Sequence, residues 1–474
     1  MKRLVLFNRD LRTIDNTALI QAIDGETPVI AVFITTPQQW TQHDLAPIQA
    51  DLIRRRLEAL NAELEALNVP LLYRQCDDFE LANEWLLALS MELGVTELFT
   101  NLDYEVNERD RTAALSAQFK QHGKKVLSFD DKCILRPGSV LNKQGKNFKV
   151  FTPFKNAWKA QFALATIQKP MVSVPTDVPA HYRYASNVAF SYPQVSSSPW
   201  PVDTNSIIDR LRVFSRDRVA HYHQERDYPA VDGTSQLSAY LAIGALSARQ
   251  CVARLYLDSM RSDGSESLLS EGAEVWLSEL IWREFYQHLV YFEPKLSRRH
   301  GYLSWERNVI WQGSEDAFKR WSNGETGYPI VDAAMRQLNA TGWMHNRLRM
   351  IVASFLIKDL HVDWRWGEAY FMSKLVDGDF AANNGGWQWC ASTGCDGQPY
   401  FRIFNPIRQG ERFDAQGEFI RQWIPELAEV PKRYIHQPWK WEAFQKLQYP
   451  EPMVDHKTQR EITLSVYKEA KDQH

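Results

Sequence analysis

The sequence predicts an α/β N-terminal domain with a doubly wound parallel sheet, joined by a long linker to an all-α C-terminal domain. Short apolar segments alternate with helical segments as far as residue 129, which is typical of βαβ units. Proline and serine then become frequent over 165–205, which favours a linker. From about residue 206 the apolar spacing is helical almost throughout. The predicted domains are 1–135 for the α/β part, 136–205 for the linker and 206–474 for the helical part.

The strands of the predicted sheet are short and rich in aliphatic residues. Segments with helical spacing separate them, such as 47–67 with its row of leucines. The loop after the first strand lacks the GxGxxG pattern, so the usual dinucleotide-binding turn is not expected there. The predicted strands cover residues 3–7, 29–33, 70–73, 97–99 and 125–129.

Composition limits the classes of protein to which the chain can belong. Its 474 residues exceed what one core usually organises, and it has no apolar run of about eighteen residues that would span a membrane. Five scattered cysteines favour a reducing cytoplasm over a disulfide framework. Cys390 and Cys395 lack a second close pair, so two core or loop residues are favoured over a zinc site, and no metal is expected. The net charge of −3 restricts any nucleic-acid surface to a local basic patch.

Residues 363–406 mix aromatic, acidic, amide and glycine residues more densely than a structural core requires. Four of the seventeen tryptophans fall here, together with DGD at 377–379 and NNGG at 383–386. Aromatic side chains stack on flat rings, amides recognise polar edges, and glycines let the backbone approach closely. The stretch therefore predicts a pocket for a flat ring with polar edges.

Two predicted helices add polar side chains beside tryptophan. For either helix alone, a core helix with a solvated edge is the favoured interpretation. Together with the 363–406 stretch, the two favour a shared pocket. The helical faces consist of Glu279, Trp282, Arg283 and Tyr286, and of Trp343, Asn346, Arg347 and Met350.

Two weaker signals concern phosphate groups. The segment TSQLS at 234–238 precedes an apolar helical segment, so its hydroxyls and the helix N-terminus could cradle a phosphate, although such residues cap most helices without binding anything. Charged clusters are common on solvated faces, so a DNA surface is the minority interpretation from these residues alone. The basic clusters are Arg402, Arg408 and Arg412, and His345, Arg347 and Arg349.

These motifs together resemble the DNA photolyase/cryptochrome family. DGDFAANNGGWQWCASTG followed by PYFRIFNP is similar to the family's flavin-binding core, and VLFNRDLRTIDNTAL to its N-terminal signature. The similarity extends over nearly the whole chain and is greatest to bacterial class I cyclobutane pyrimidine dimer photolyases. It implies an antenna-binding α/β domain and an all-α flavin-binding domain in a monomeric protein of the bacterial cytosol. The chain differs at Asn8 and Gln236, where arginine is usual.

The resemblance implies a reduced, noncovalently bound flavin adenine dinucleotide (FAD). Because Gln236 replaces an arginine, a charged contact to the diphosphate is lost or moved, and Asn383 would face the reactive flavin nitrogen. The implied FAD contacts are Tyr222, Thr234, Ser235, Gln236, Leu237, Ser238, Trp276, Arg283, Asn346, Arg349, Asp377, Gly378, Asp379 and Asn383.

An antenna chromophore between the two domains is also implied. The YEVNER segment matches the family's folate contacts, so 5,10-methenyltetrahydrofolate is expected, with a deazaflavin as the alternative. The implied antenna contacts are His43, Asn107 and Glu108. Considered without the family, Asn107 and Glu108 are equally well explained as the cap and first turn of a helix.

The implied activity is light-dependent DNA repair, in which excited reduced FAD donates an electron that splits a cyclobutane pyrimidine dimer. The lesion must leave the helix, so base flipping is expected, with Trp282 and Trp389 stacking on it. Glu279 would bond to the dimer and help to stabilise its radical anion. The implied DNA contacts are Arg226, Glu279, Trp282, Arg283, Asn346, Arg347, Met350, Trp389, Arg402 and Gln409.

Three tryptophans would relay electrons from the surface to oxidised flavin, namely Trp387, Trp364 and Trp311. For any one of them, core packing is the commoner role. Two other functions stay open: a cryptochrome photoreceptor without repair activity, and a two-domain nucleotide-binding protein without photochemistry. The combined dimer-site residues and the short tail after Arg402 favour repair.

Overall fold

One five-stranded parallel sheet forms at the N-terminal end of the chain in the computed structural model, which describes residues 1–186, 188–263 and 269–474. The strand order is β3-β2-β1-β4-β5, so the sheet is doubly wound as predicted. All five predicted strands are confirmed, although β4 begins two residues earlier than the pattern indicated. The strands are β1 (Lys2–Phe7), β2 (Val29–Thr35), β3 (Leu71–Gln75), β4 (Val95–Asn101) and β5 (Lys125–Phe129).

Helices alternate with these strands and then continue without further strands in the described part of the chain. The predicted fold class is therefore confirmed. In chain order the helices are α1 (Thr17–Ala22), α2 (Pro37–Gln42), α3 (Pro47–Glu65), α4 (Phe79–Glu92), α5 (Val106–Gln121), α6 (Phe151–Gln161), α7 (Thr204–Val213), α8 (Tyr222–Glu225), α9 (Ser238–Ala242), α10 (Ala248–Asp263), α11 (Glu271–Phe292), α12 (Glu315–Asn323), α13 (Pro329–Thr341), α14 (Asn346–Lys358), α15 (Trp364–Lys374), α16 (Phe380–Cys390), α17 (Pro406–Phe413), α18 (Glu418–Trp423) and α19 (His456–Asp472).

The centre of the sheet is held by apolar contacts on both faces. Every residue of β2 is buried, as expected for a strand covered by helices on both sides of a parallel sheet. β1 pairs with both β2 and β4, so the strand order reverses at the β1–β4 junction. A crevice at the carboxyl ends of the strands is expected at such a point, and a small cleft lies there, lined by residues that include Asn8, Asp10 and Asn101.

The described chain divides into two compact units by packing. The first unit contains residues 1–220 and 235–297, and the second contains 221–234 and 298–474. The predicted domain limits at 135 and 205 stay a prediction, because the two packing units are divided at other residues. Inside the predicted linker, α6 is a regular helix of the first unit.

Helix α6 packs on α11 through three side chains spaced along one face. The Phe154 ring lies 5.2 Å from that of Phe285, and Trp158 donates its indole N–H to the Glu284 carboxylate at 2.7 Å. The predictions named no helix at 151–161, where burial of an aromatic face, which composition does not show, stabilises one.

The second unit has its core where α13, α14, α15 and α16 meet. Trp321, Trp364 and Trp387 are all buried in this apolar cluster. No helix of the described chain is both long and apolar enough to cross a membrane. The five cysteines are free of disulfides, and four of them are buried.

Candidate functional site

The DGD segment of the second unit is held by a charge pair. Arg349, one turn into α14, donates to both carboxylate oxygens of Asp377 at 3.0 and 2.8 Å. The Asp377 side chain is 2% exposed, whereas that of Arg349 is 25% exposed. Both oxygens are held by the same guanidinium nitrogen. This charged contact ties α14 to the segment before α16, so two residues predicted to contact the same ligand do lie together.

Helix α16 begins at the second aspartate of this segment. Asp379 is its N-cap and accepts a hydrogen bond from the Ala382 amide at 3.0 Å. One turn later, Asn383 donates its side-chain N–H to the Glu368 carbonyl oxygen at 3.0 Å. The amide oxygen of Asn383 is therefore left as the acceptor end of a side chain whose orientation is set by α15.

The tryptophans predicted to form a relay lie in the second unit. Trp387 packs edge-on against Phe371 and Trp321, with centroid distances of 5.0 and 6.1 Å. Its ring lies directly on Gly367, where any Cβ atom would collide with the indole. Gly367 is three residues after Trp364 on α15, so both indoles lie along the same face of that helix.

Trp311 lies in a half-buried segment connected to the start of α15. Gly313, two residues after Trp311, donates its amide N–H to the His361 carbonyl oxygen at 2.9 Å. His361 is in turn three residues before Trp364. Trp364 is fully buried and donates its indole N–H to Glu306 at 3.2 Å. The relay through Trp387, Trp364 and Trp311 stays a prediction.

Several of the residues predicted to face DNA in the second unit lie on or near helices α14 and α17. Asn346 is exposed at the start of α14, and Met350 is half-buried one turn later. Arg347 pairs with Asp227 at 2.8 Å and lies over the Phe413 ring. Arg402, Arg408 and Arg412 are exposed on and before α17. Their role as a local basic patch for DNA stays a prediction.

Helix α11 carries the corresponding residues of the first unit. Glu279, Trp282 and Arg283 are half-buried, and Trp276 is buried against the Phe214 ring at 5.0 Å. Arg283 donates to the carbonyl oxygens of Lys132 and Leu241 at 3.1 and 3.3 Å. The arginine is therefore oriented by two backbone carbonyls.

The TSQLS segment leads into the short helix α9. Leu237 occupies the N-cap position of α9, without a side-chain cap, and the phosphate cradle predicted here stays a prediction. Gln236 has a left-handed backbone, with φ of 49°, which turns the chain just before the helix. Arg210 donates to the Gln236 side-chain oxygen at 3.2 Å, so a guanidinium lies beside the position where arginine is usual.

The predicted antenna residues of the first unit lie around the start of α5. Asn107 bonds to His43 at 2.9 Å, and the N-cap is Glu105 rather than Asn107. Burial and the charge of Glu105 raise the pKa of Glu108 to about 7. A carboxyl group that titrates near neutrality can respond to a ligand that pairs with its ionised form.

Comparison with known proteins identifies the family. The family model for "DNA photolyase" matches residues 3–176, and that for "FAD binding domain of DNA photolyase" matches residues 276–469. The chain is 57% identical to a deoxyribodipyrimidine photo-lyase of Vibrio cholerae, over 99% of this chain and 100% of that protein. The chain belongs to the DNA photolyase family. The predicted family and the predicted FAD-binding domain are both confirmed.

Two further photolyases agree with this assignment. A deoxyribodipyrimidine photo-lyase of Escherichia coli is 47% identical over 99% of this chain and 98% of that protein. The solved structure of a bacterial class III photolyase from Agrobacterium tumefaciens superposes with a TM-score of 0.84 and 34% identity, covering 99% of this chain and 98% of that chain. The photolyase fold therefore extends over the whole chain.

Sequence reasoning missed the helix that packs beside one of the predicted site residues of this photolyase. The predictions placed residues 136–205 in a linker and assigned none of them to a site. The structure instead packs α6 against the part of α11 that carries Trp282. The signal was available, because Phe151, Phe154 and Trp158 follow the i, i+3, i+7 spacing of one helical face.

Proposed function

We propose that this photolyase repairs cyclobutane pyrimidine dimers in DNA as a deoxyribodipyrimidine photo-lyase. The observation that carries the proposal is the full-length identity to enzymes of that name. When bound, reduced FAD supplies the photoexcited electron that splits the cyclobutane ring. The protein's part is to bind the cofactor, hold the lesion and exclude water.

The residues around α14 and α16 suit a flavin in their chemistry. Asp377 and Asp379 accept hydrogen bonds, Arg349 offers positive charge, and the oxygen of Asn383 can accept a bond from the reduced ring. In the second unit we assign to FAD Tyr222, Thr234, Asn346, Arg349, Asp377, Gly378, Asp379 and Asn383. In the first unit we assign Ser235, Gln236, Leu237, Ser238, Trp276 and Arg283.

The lesion contacts are assigned to the half-buried residues of α11 and the second unit. Glu279 bonds to the dimer and stabilises charge on it, while Trp282 and Trp389 each stack on the flipped bases. Met350 offers an adaptable apolar wall. Phosphates are contacted by the exposed basic residues, which position the strand without reading its sequence. The assigned DNA-binding residues are Arg226, Glu279, Trp282, Arg283, Asn346, Arg347, Met350, Trp389, Arg402 and Gln409.

The deciding experiment is light-dependent repair of an oligonucleotide with one thymine dimer, with a dark sample as control. We expect repair only in light and only with reduced FAD, and a large loss of repair in Glu279→Ala with FAD retained. A flavin-containing protein without repair would instead favour the cryptochrome function. A monomer of the bacterial cytosol remains our proposal for its state and place.

We expect repair of cyclobutane dimers but not of (6-4) photoproducts. The accessible positions of α14 hold Asn346 and Met350, neither of which can act as a general acid near neutral pH. The neighbouring His345 is buried as the N-cap of this helix, and burial lowers its pKa to about 4, so it is neutral at pH 7. Both lesions should be assayed in parallel in single-stranded and duplex DNA; comparable (6-4) repair would contradict the assignment.

We further propose that His43, Asn107 and Glu108 bind a 5,10-methenyltetrahydrofolate antenna, with a deazaflavin as the alternative. The Glu108 carboxylate would accept a bond from the pterin amino group. The bond between Asn107 and His43 holds both side chains at the start of α5. The near-ultraviolet absorbance of the purified protein distinguishes the two chromophores, and Glu108→Ala should reduce it.

Binding of this folate should weaken as the pH falls. The pKa of Glu108 is raised to about 7, so below that value the free protein carries a protonated carboxyl that must lose its proton to bind. By linkage, affinity falls about eightfold between pH 7.5 and pH 6. Absorbance titration at the two pH values measures the change. Glu108→Gln should bind more weakly and lose most of the dependence, and an unchanged profile in that variant would exclude Glu108 as its source.

A further inference from the structure

The Trp282 ring is in face-to-face contact with another aromatic ring of the first unit. Phe151, the first residue of α6, stacks on it with a centroid distance of 3.7 Å and an interplanar angle of 9°. Phe285 meets the same indole edge-on at 5.6 Å, and the Tyr286 ring lies 5.5 Å from it, tilted by 33°. Because Phe151 covers one face, only the opposite face of half-buried Trp282 is left for a stacking ligand.

The position of Phe151 is imposed by its helix and not by attraction between the two rings. Aromatic pairs prefer an offset or edge-to-face arrangement over a nearly direct sandwich. Helix α6 is instead anchored further along by Phe154, which packs on Phe285 and lies 5.1 Å from His288. Trp158 adds a hydrogen bond to the buried Glu284 carboxylate. Phe151 itself is only 6% exposed, so it forms a fixed wall.

The Glu284 carboxylate extends this anchorage to the loop after β5. It accepts hydrogen bonds from the Ile134 and Leu135 amides at 2.7 and 2.8 Å, in addition to the one from Trp158. Helix α6, helix α11 and this loop therefore form one rigid support behind Trp282. A side chain that is immobilised before binding loses less entropy when a ligand stacks on it.

We propose that Phe151 is a positioning residue for dimer recognition, which holds the Trp282 indole so that its opposite face receives the flipped base. The inference rests on the proposed stacking of Trp282 on the lesion. Phe151 touches neither DNA nor flavin in this role. It acts only by removing rotamer freedom from Trp282, and its effect should therefore disappear when Trp282 is absent.

The test compares dark binding of a dimer-containing oligonucleotide with that of its undamaged counterpart. Discrimination is the dissociation constant for the undamaged oligonucleotide divided by that for the dimer-containing one. In Phe151→Ala we expect this ratio to drop about threefold to tenfold, the cost of ordering one freed side chain. Phe151→Trp and Phe151→Tyr should restore the ratio because they keep a flat ring. The matched control is Phe148→Ala, since the ring contact of Phe148 is with Phe154. It should leave the ratio unchanged.

A double-mutant cycle separates this inference from the proposed function. Trp282→Ala alone should lower the ratio, and adding Phe151→Ala to it should have no further effect. If Trp282→Ala lowers the ratio while Phe151→Ala does not, or if the two effects simply add, Phe151 is no positioning residue. An unchanged ratio in Trp282→Ala would refute the stacking of Trp282 itself. FAD content shows whether each variant is folded, and Phe151→Leu, which keeps the volume without the flat ring, should resemble the alanine variant.

Discussion

A folded but colourless protein is the expected result of replacing both Asp377 and Asp379 by alanine. The first substitution leaves Arg349 without its carboxylate partner, and the second removes the N-cap of α16. Hydrogen bonds to charged groups contribute roughly 1.5–3 kcal/mol each, so FAD affinity should fall by about a hundredfold or more. The ratio of flavin to protein absorbance after gel filtration measures the loss.

The control for this variant must remove a cap without touching the cofactor. Asp363 is also a helix N-cap, for α15, and it also pairs with an arginine, Arg365, at 3.1 Å. Asp363→Ala should cost about 1 kcal/mol of stability yet retain its flavin. Full FAD content in the folded Asp377/Asp379 double variant would place the cofactor elsewhere.

Loss of photoreduction is the expected result of Trp311→Phe. Phenylalanine fills nearly the same space but is much harder to oxidise than indole, so an electron hole on Trp364 could no longer move outwards. Repair by enzyme whose FAD has already been reduced chemically should proceed at the normal rate, because that step needs no relay. Illumination of oxidised protein with an external electron donor, followed by its absorbance, separates the two activities.

Trp305 provides the matched control for the relay. It contacts Tyr467 at 6.0 Å, as Trp311 does at 6.5 Å, but it is assigned no part in electron transfer. Trp305→Phe should therefore photoreduce like the wild type. Normal photoreduction in Trp311→Phe would remove this residue from the path and would require another exit from the buried Trp387.

The sheet could be predicted from sequence because its strands are continuous apolar runs, as in fully buried β2. Helix α6 was missed because Pro153 and the surrounding polar residues are not typical of a helix, and its aromatic face is buried only by packing on α11. Likewise, the left-handed backbone of Gln236 just before α9 could not be predicted from residue propensity. Local pattern indicates elements well, whereas a tertiary contact decides where marginal ones form.

In the candidate site, too, the sequence pattern predicts some residues, whereas their contact partners are determined only by the fold. The DGD and NNGG motifs led to Asp377 and Asn383, because those residue types carry their chemistry in the sequence itself. Their partners could not be predicted. The carbonyl oxygen of Glu368 that orients Asn383 belongs to another helix, and any residue type would supply it. Backbone contacts of this kind cannot be recognised from the composition of the sequence or from the spacing of its residues.

The buried cysteines have a practical consequence for labelling experiments. Only a thiolate reacts readily with maleimides or oxidants, and burial raises the pKa of both Cys251 and Cys390 to about 12. The pKa of Cys133 is raised in the same way. These three buried native thiols should therefore stay silent at neutral pH while a cysteine introduced at an exposed position reacts. A fluorescent or spin probe could then report distances on this photolyase without first removing those three cysteines.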